Sequence, residues 1–316
     1  MQGILLALIL SFCAQTASAL TIATGPSGGS YFQIAQDIKN VARKEGIDLR
    51  VMATKGSLEN LELLDAGKVD LAIVQADALW AMGYSNAQEF ISDVVKQDLD
   101  MDLFDKVKVV LNLYPEEVHI LTNQKAVSTF DNLEGKRVSI GPPGAGSAVT
   151  AVLLFKVYGV KATVSGEPFE EAVKKLEQGS LDAVFFVGGA PVPFIERLGR
   201  KFQIVRLPRN PALEHIYLRT SLGKKQYAWA TTETETYAVP AAMMGLDKRD
   251  EKYVTQMQRL VLAIFDNHQF LQTKGHPKWQ SSIVRTYFPS RGYEPTRQVI
   301  QIFNILDKYG YKVKKK

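Results

Sequence analysis

A strand, a glycine-rich loop and a helix occur in the same order twice along this chain. In the first copy, residues 20–24 form an apolar strand, residues 25–30 form the loop, and apolar residues then recur at helical spacing. In the second copy, the strand spans residues 138–140, the loop spans residues 141–147 and the helix spans residues 147–158. This repetition predicts two halves with the same local fold.

Each copy continues with a second strand, a second helix and a third strand. The strands are short and largely apolar, and glycines end the helices. Because consecutive parallel strands need crossover connections, this order predicts an α/β fold with a helix-covered central sheet in each half. The predicted elements are strands 47–53 and 70–75 around helix 57–66, and strands 162–164 and 181–186 around helix 169–178.

Three further apolar segments are predicted to connect the halves. Residues 107–114 and 118–122 form strands that lead from the first half to the second, and residues 236–244 form a strand that leads back. Two lobes joined by such a two-strand hinge can close on a ligand in the cleft between them. The expected boundaries are residues 20–115 and 240–316 for lobe 1, and residues 116–239 for lobe 2.

The amino terminus has the features of a signal peptide. Residues 3–12 are a nearly pure apolar run, and the small residues Ala17, Ser18 and Ala19 provide a cleavage site after Ala19. The run is shorter than the ~20 apolar residues that span a bilayer. No Lys or Arg precedes it, which leaves a buried amino-terminal helix as the alternative. We expect residues 1–19 to be removed on export.

Composition narrows the classes of function. The only cysteine is Cys13, so the mature chain would have no disulfide, thiolate metal site or cysteine nucleophile. The net charge is +5, and basic residues are mixed with acidic ones except in the tail 308–316. This distribution does not predict a nucleic-acid-binding surface. We expect a monomer without a cofactor or a metal.

Both glycine-rich loops lie where an anion would be stabilised. Each loop presents backbone N–H groups at the start of a helix, where the aligned peptide dipoles add partial positive charge. Ser30 and Ser147 lie beside these loops and would either cap the helix or donate a hydroxyl to a carboxylate. One such loop would be an ordinary turn, but two equivalent loops facing one cleft favour the binding of a small anionic organic solute.

Other polar residues follow strand ends or begin helices. Tyr31 would bond the ligand or pack in the core, and Ser57 and Asn60 begin another helix, which Ser57 is predicted to cap. Gln75 and Asp77 follow the carboxyl end of a strand, where open α/β sheets bind ligands. Asp77 would repel an anion unless it binds a ligand ammonium group or caps the next helix.

Six short segments, taken in order, carry a resemblance to a known family: residues 28–31, 56–61, 75–77, 113–116, 144–147 and 189–191. Together they resemble the TAXI-type solute receptors of tripartite ATP-independent periplasmic (TRAP) transporters. The resemblance covers residues 20–244 and implies a type II periplasmic-binding-protein fold in the periplasm. It also implies a dicarboxylate or amino-acid ligand, such as glutamate or 2-oxoglutarate, and delivery to TRAP-type membrane permease subunits.

The expected ligand-binding residues come from the loops and from this resemblance. Two departures from the family pattern are Ala76, where many relatives have serine, and the region after residue 283, which does not follow the usual ending. The loop argument contributes Gly28, Gly29 and Gly144. The resemblance implies Ser30, Tyr31, Ser57, Asn60, Gln75, Asp77, Gly146, Ser147, Phe186, Gly188 and Pro191.

Three alternative functions are compatible with part of the pattern. The liganded protein could report to a membrane sensor kinase, or it could serve an ATP-driven importer, because such receptors share this architecture. An enzyme on an α/β scaffold is the third alternative. The four histidines are scattered, and the HExxH and P-loop patterns do not occur in the sequence. The sequence therefore favours a binding protein over an enzyme.

Overall fold

Two long antiparallel strands, β4 (Val107–Thr122) and β10 (Thr234–Leu246), run side by side through the middle of the fold. The structure is a computed structural model. It describes residues 19–82, 103, 106–214, 216–248, 250–282, 286–287 and 314–315. The predicted signal peptide lies outside the described residues, apart from Ala19, as does most of the region after residue 283.

Among the described residues, the first half contains three parallel strands and five helices. β1 pairs with both β2 and β3, and β3 pairs antiparallel with β10. The carboxy-terminal helix α7 packs against α1 and so belongs to this half. The elements are β1 (Leu20–Ala23), α1 (Ser30–Lys44), β2 (Leu49–Met52), α2 (Ser57–Asp65), β3 (Leu71–Gln75), α3 (Ala76–Met82), α7 (Glu251–Asp266) and α8 (His268–Lys274).

The second half repeats the parallel arrangement. β5 pairs with β6 and β7, and β7 pairs antiparallel with β4. Its elements are β5 (Arg137–Ser139), α4 (Gly146–Tyr158), β6 (Thr163–Ser165), α5 (Phe169–Glu177), β7 (Ala183–Gly188), α6 (Pro193–Leu198), β8 (Gln203–Ile204) and β9 (Leu218–Leu222). Short 3₁₀ turns span Phe130–Leu133, Gly199–Lys201, Pro211–Leu213 and Pro277–Ser281, and β11 (Thr286–Tyr287) pairs with β12 (Lys314–Lys315).

The halves share one continuous sheet, in the order β2-β1-β3-β10-β4-β7-β5-β6, with β8 paired to β4 and β9 paired to β10. The sequence predicts a separate sheet in each half, but β4 and β10 extend through both. β10 pairs with β9 over residues 234–238 and with β3 over residues 241–245. Pro115 and Pro240 lie opposite each other between these two regions.

Helix α4 shows how the two halves pack. Nine of its 13 residues are buried, so it has no polar face of the kind that covers a sheet at the protein surface. One side of α4 covers the second half, and it also contacts α3 of the first half. Residues of both halves, including Leu58, Leu79 and Val149, therefore belong to one apolar cluster. A second cluster, with Ile34, Ile38 and Leu260, fills the first half between α1, α7 and the sheet.

Candidate functional site

The second glycine-rich loop meets the start of helix α2. The backbone N–H of Leu58 donates to the carbonyl of Gly144 at 3.1 Å, which joins the two halves directly. Gly56 precedes α2 with a φ of 128°, and a Cβ on it would lie 3.7 Å from the Cα of Ala145. The backbone conformation therefore favours glycine at this position, whereas the space beside it would admit a Cβ in ordinary van der Waals contact.

Gly146 lies against two polar side chains of the first half. A Cβ on Gly146 would lie 1.7 Å from Oε1 of Gln75 and 2.7 Å from Oγ of Ser57. The Ser57 hydroxyl accepts a hydrogen bond from the Gln75 backbone N–H at 3.1 Å. The start of α4, Ser57 and Gln75 therefore form one buried polar contact between the halves.

Asp77 is bonded by two hydroxyls of the second half. Its Oδ2 accepts from Thr150 at 2.6 Å and from Tyr217 at 2.8 Å, while Thr150 accepts from the Gln75 side-chain amide at 3.1 Å. Its Oδ1 is buried without a hydrogen-bond partner within the described part of the chain. Burial raises the pKa of Asp77 to about 6, although the Thr150 and Tyr217 hydrogen bonds act in the opposite direction.

Glu116 lies on β4 beside the crossing between the halves. Its Oε2 accepts a hydrogen bond from the Tyr31 hydroxyl at 2.6 Å. Burial raises the pKa of Glu116 to about 8, with Tyr31 and the charge of Lys278 lowering it and Glu117 raising it further. Burial, and then the adjacent Glu116, also raise the pKa of Tyr31. The neighbouring Tyr114 hydroxyl is buried and has no hydrogen-bond partner among the described residues.

Glu117 is paired with a lysine from the carboxy-terminal segment. Nζ of Lys278 lies 2.7 Å from Oε1 and 2.9 Å from Oε2 of Glu117, and both side chains are buried. Oε2 of Glu117 also accepts from the Ala190 backbone N–H at 2.7 Å. The stem of Lys278 passes close to Gly189, where an added Cβ would lie 2.8 Å from it. This pair therefore joins β4, the Pro277–Ser281 turn and the loop after β7.

His119 lies on the same strand within an aromatic cluster. Its Nε2 is 2.7 Å from the Tyr227 hydroxyl, and its ring packs against Phe186 and Tyr227. Burial lowers the pKa of His119 to about 3, so the ring is neutral at physiological pH. Its Nδ1 is buried and has no hydrogen-bond partner in the described structure.

The prediction that Ser57 caps its helix is wrong, and the structure does not show the capping alternative for Ser30 or Ser147. Gly29, Gly56 and Ala145 occupy the cap positions of α1, α2 and α4, without a side-chain cap hydrogen bond among the described residues. The Ser147 hydroxyl accepts from the Val187 backbone N–H at 3.0 Å, and Ser57 accepts from Gln75 as described above. Ser57 and Ser147 therefore attach helix starts to neighbouring strands.

The other predicted residues differ in how they are placed. Asn60 donates to the carbonyls of Thr24 and Ile73, which are both in the first half. Phe186 packs on Phe169, and a Cβ on Gly188 would lie 2.6 Å from the Phe186 ring. Ser30 and Gly29 are half-buried, whereas Gly28 and Pro191 are exposed. The structure therefore brings together Tyr31, Ser57, Gln75, Asp77, Gly144 and Gly146. Ser147 follows Gly146 at the start of α4.

Sequence reasoning missed five residues of this cluster. Glu116 was quoted only as part of a family segment, although two adjacent glutamates within an apolar strand are a usable signal of a buried polar site. The same signal covers Glu117. Nothing in the sequence pattern singled out the other three residues, Thr150, Tyr217 and Lys278, because they come from distant segments.

Three further features of the described residues concern membranes, metals and cavities. Within the described ranges, no helix is both long and apolar enough to cross a membrane. The same residues hold no group of three or more His, Cys, Asp or Glu side chains suited to a metal ion. A cavity of about 580 Å³ lies in the second half, lined by residues that include Ser128, Arg200, Arg206 and Trp229.

Comparison with known proteins identifies the fold and the family. The structure is similar to that of Tv2483 bound to L-arginine, with a TM-score of 0.53 and 13% identity over 87% of this chain and 96% of that one. It is also similar to a protein from Bordetella bronchiseptica RB50, with a TM-score of 0.50 and 15% identity over 94% and 83% of the two chains. The fold is that of type II periplasmic binding proteins. The NMT1-like family matches residues 22–286, and the chain belongs to this family.

Proposed function

We propose that this protein is an extracytoplasmic solute-binding protein that captures a small carboxylate or amino acid between its two halves. The contact of Gly146 with Gln75 and Ser57 carries this proposal, because it brings a helix start of one half onto buried polar side chains of the other. Polar groups that converge between two lobes of an α/β fold are characteristic of ligand sites.

We call the place where the start of α4 meets Gln75, Asp77, Glu116 and Glu117 the junction between the halves. Ligand capture would use the groups that now form hydrogen bonds with one another across this junction. Opening at β4 and β10 would separate Leu58 from Gly144 and release the Gln75 amide from Thr150. The N–H groups at the start of α4 would then be available to a ligand carboxylate. Closure would replace water around the ligand with these groups, as expected for a hinge-bending receptor.

We further propose delivery to a TRAP-type permease, with glutamate and 2-oxoglutarate as the first candidate ligands. The resemblance of six ordered segments to TAXI-type receptors supports this partner. A receptor for a sensor kinase or for an ATP-driven importer would have the same cleft. Ligand binding therefore cannot distinguish these partners, and the membrane partner itself has to be identified. Co-purification with the permease subunits encoded beside the gene would support transport, whereas a neighbouring kinase that responds to the ligand would contradict it.

Calorimetry on the mature protein tests ligand binding. We expect at least one of glutamate, glutamine, 2-oxoglutarate and succinate to bind, and Gln75→Ala to weaken that binding by about tenfold or more. Gln33→Ala changes an exposed glutamine on α1 and is the matched control. Tight binding of a neutral sugar, with no response to any of the four acids, would contradict the proposal.

A further inference from the structure

The charged groups at the junction are unevenly distributed. Three buried carboxyl groups, those of Asp77, Glu116 and Glu117, lie there, whereas Lys278 is the one buried cation beside them in the described structure. Lys278 contacts both oxygens of Glu117. Its positive charge is therefore already paired with the carboxylate of Glu117.

Asp77 and Glu116 differ in how they are held. Asp77 accepts two hydrogen bonds from hydroxyls of the second half, so its carboxylate is part of the contact that joins the halves. Among the described residues, one side-chain hydrogen bond holds the Glu116 carboxyl group, from Tyr31 in the first turn of α1. Oδ1 of Asp77 also lacks a partner there, but the Asp77 carboxyl group is part of the contact that closes the halves, whereas that of Glu116 is not.

A second buried group at the same place has unused hydrogen-bonding capacity. Tyr114 precedes Glu116 by two positions on β4, so the two side chains point to the same side of the strand. Its hydroxyl is fully buried and has no partner in the part of the chain that is described. Because buried polar groups are normally hydrogen-bonded, this hydroxyl indicates a missing donor or acceptor beside Glu116.

We propose that Glu116, with the hydroxyls of Tyr31 and Tyr114, binds the ammonium group of the solute. The ligand would accordingly be an amino acid, such as glutamate, rather than a dicarboxylate or 2-oxo acid that lacks an amine. This inference rests on the proposed function and specifies the ligand class for the same site. The helix starts would bind the carboxylate of the amino acid, and Glu116 would bind its amine.

This arrangement requires a proton to leave when the ligand binds. The titratable groups that interact with Glu116 are Tyr31 on α1, Tyr114 and Glu117 on β4, Asp77 on α3 and Lys278 on the carboxy-terminal turn. Burial raises the pKa of Glu116 to about 8, so its carboxyl group is mainly protonated at pH 7. An incoming ammonium group favours the carboxylate, and the carboxyl proton therefore passes to the buffer.

The alternative is that Glu116 stays protonated and only bonds Tyr31. The variant Glu116→Gln separates these roles, since glutamine is neutral, has the same shape and can still accept from Tyr31. Under the proposal, Glu116→Gln lowers amino-acid affinity by about tenfold or more. The matched control is Glu170→Gln, which removes an exposed carboxylate on α5.

The experiment compares amino acids with their 2-oxo counterparts by calorimetry at pH 7 in phosphate and in Tris. The probes are glutamate, glutamine, leucine and arginine, with 2-oxoglutarate and 4-methyl-2-oxopentanoate as ligands that lack the amine. We expect an amino acid to bind with release of nearly one proton, unchanged affinity in Glu170→Gln and loss of affinity in Glu116→Gln. Proton release is measured on the wild-type protein, so it tests the inference even if Glu116→Gln folds poorly.

Three results would overturn the inference. A 2-oxo acid that binds as tightly as its amino acid would exclude amine recognition but would leave the proposed function intact. Amino-acid binding without proton release, or with full affinity in a folded Glu116→Gln variant, would exclude Glu116. Binding of a neutral sugar alone would contradict both the inference and the proposed function.

Discussion

Nζ of Lys278 lies 2.7 Å from Oε1 of Glu117, although 161 positions separate the two residues in the sequence. The side chains are only 4% and 9% exposed. This pair attaches the Pro277–Ser281 turn to β4 at the point where the strand enters the second half. The carboxy-terminal segment is therefore part of the junction and not simply a covering of the first half.

Replacement of Lys278 by Met should destabilise the protein strongly. Glu117 would keep its buried charge without a cation, which typically costs about 3–5 kcal/mol. Urea denaturation would measure the loss. The double variant Lys278→Met with Glu117→Gln should recover much of it, and Lys201→Met, which breaks an exposed pair with Glu177, should cost less than about 1 kcal/mol. A small loss in Lys278→Met would show that the pair is not buried in solution.

Gly146→Ala should favour separation of the halves. The added methyl group would collide with the Gln75 side chain and the Ser57 hydroxyl, and displacing them should destabilise the closed arrangement by about 1–3 kcal/mol. Small-angle X-ray scattering should report a larger radius of gyration. Gly28→Ala adds the same group where nothing lies within 4 Å and should leave the scattering unchanged. Equal scattering from both variants would contradict this contact.

Ser147→Ala should lower stability by about 1–3 kcal/mol, because the buried N–H of Val187 would lose its acceptor. Ser30→Ala is the matched control, since Ser30 is half-buried and makes no side-chain cap bond in the described structure. Chemical denaturation of the two variants would compare them directly. Equal stability of the two would argue against an anchoring role for Ser147.

Acid should destabilise the protein in part through His119. Its pKa is near 6.5 when unfolded and is lowered to about 3 by burial, so the unfolded chain binds more protons between these values. The contribution of neutral His119 to the free energy of unfolding is complete above pH 6.5 and is lost as the pH falls towards 3. His119→Gln should therefore reduce the slope of unfolding free energy against pH in this window by about 1.4 kcal/mol per pH unit at most. Equal slopes of unfolding free energy against pH for the wild-type protein and His119→Gln would contradict a neutral buried histidine.

The repeated strand, loop and helix order was predictable because periodicity and glycine stops are local properties of the sequence. Helix α4, for example, was predicted over residues 147–158 and spans Gly146–Tyr158. β4 was predicted as two strands, because Pro115, Glu116 and Glu117 interrupt its apolar pattern. It is one strand, since Pro115 faces Pro240 and both glutamates have partners from other elements.

Contacts between distant segments were not predictable in the same way. The partner of Asp77 was left open between a ligand ammonium group and a helix cap, whereas the structure supplies hydroxyls from Thr150 and Tyr217. Lys278 lies on a short 3₁₀ turn with no periodic pattern around it. Such residues become recognisable only when the topology places their segments together.

The position of β10 between β3 and β4 has a consequence for synthesis on the ribosome. The strands β4, β5, β6 and β7 are complete once residue 188 has emerged, so the second half can begin to fold early. β3 must wait for β10, whose last residue is Leu246, before its free edge is paired. The amino-terminal portion of the nascent chain is therefore made first but completes its folding last.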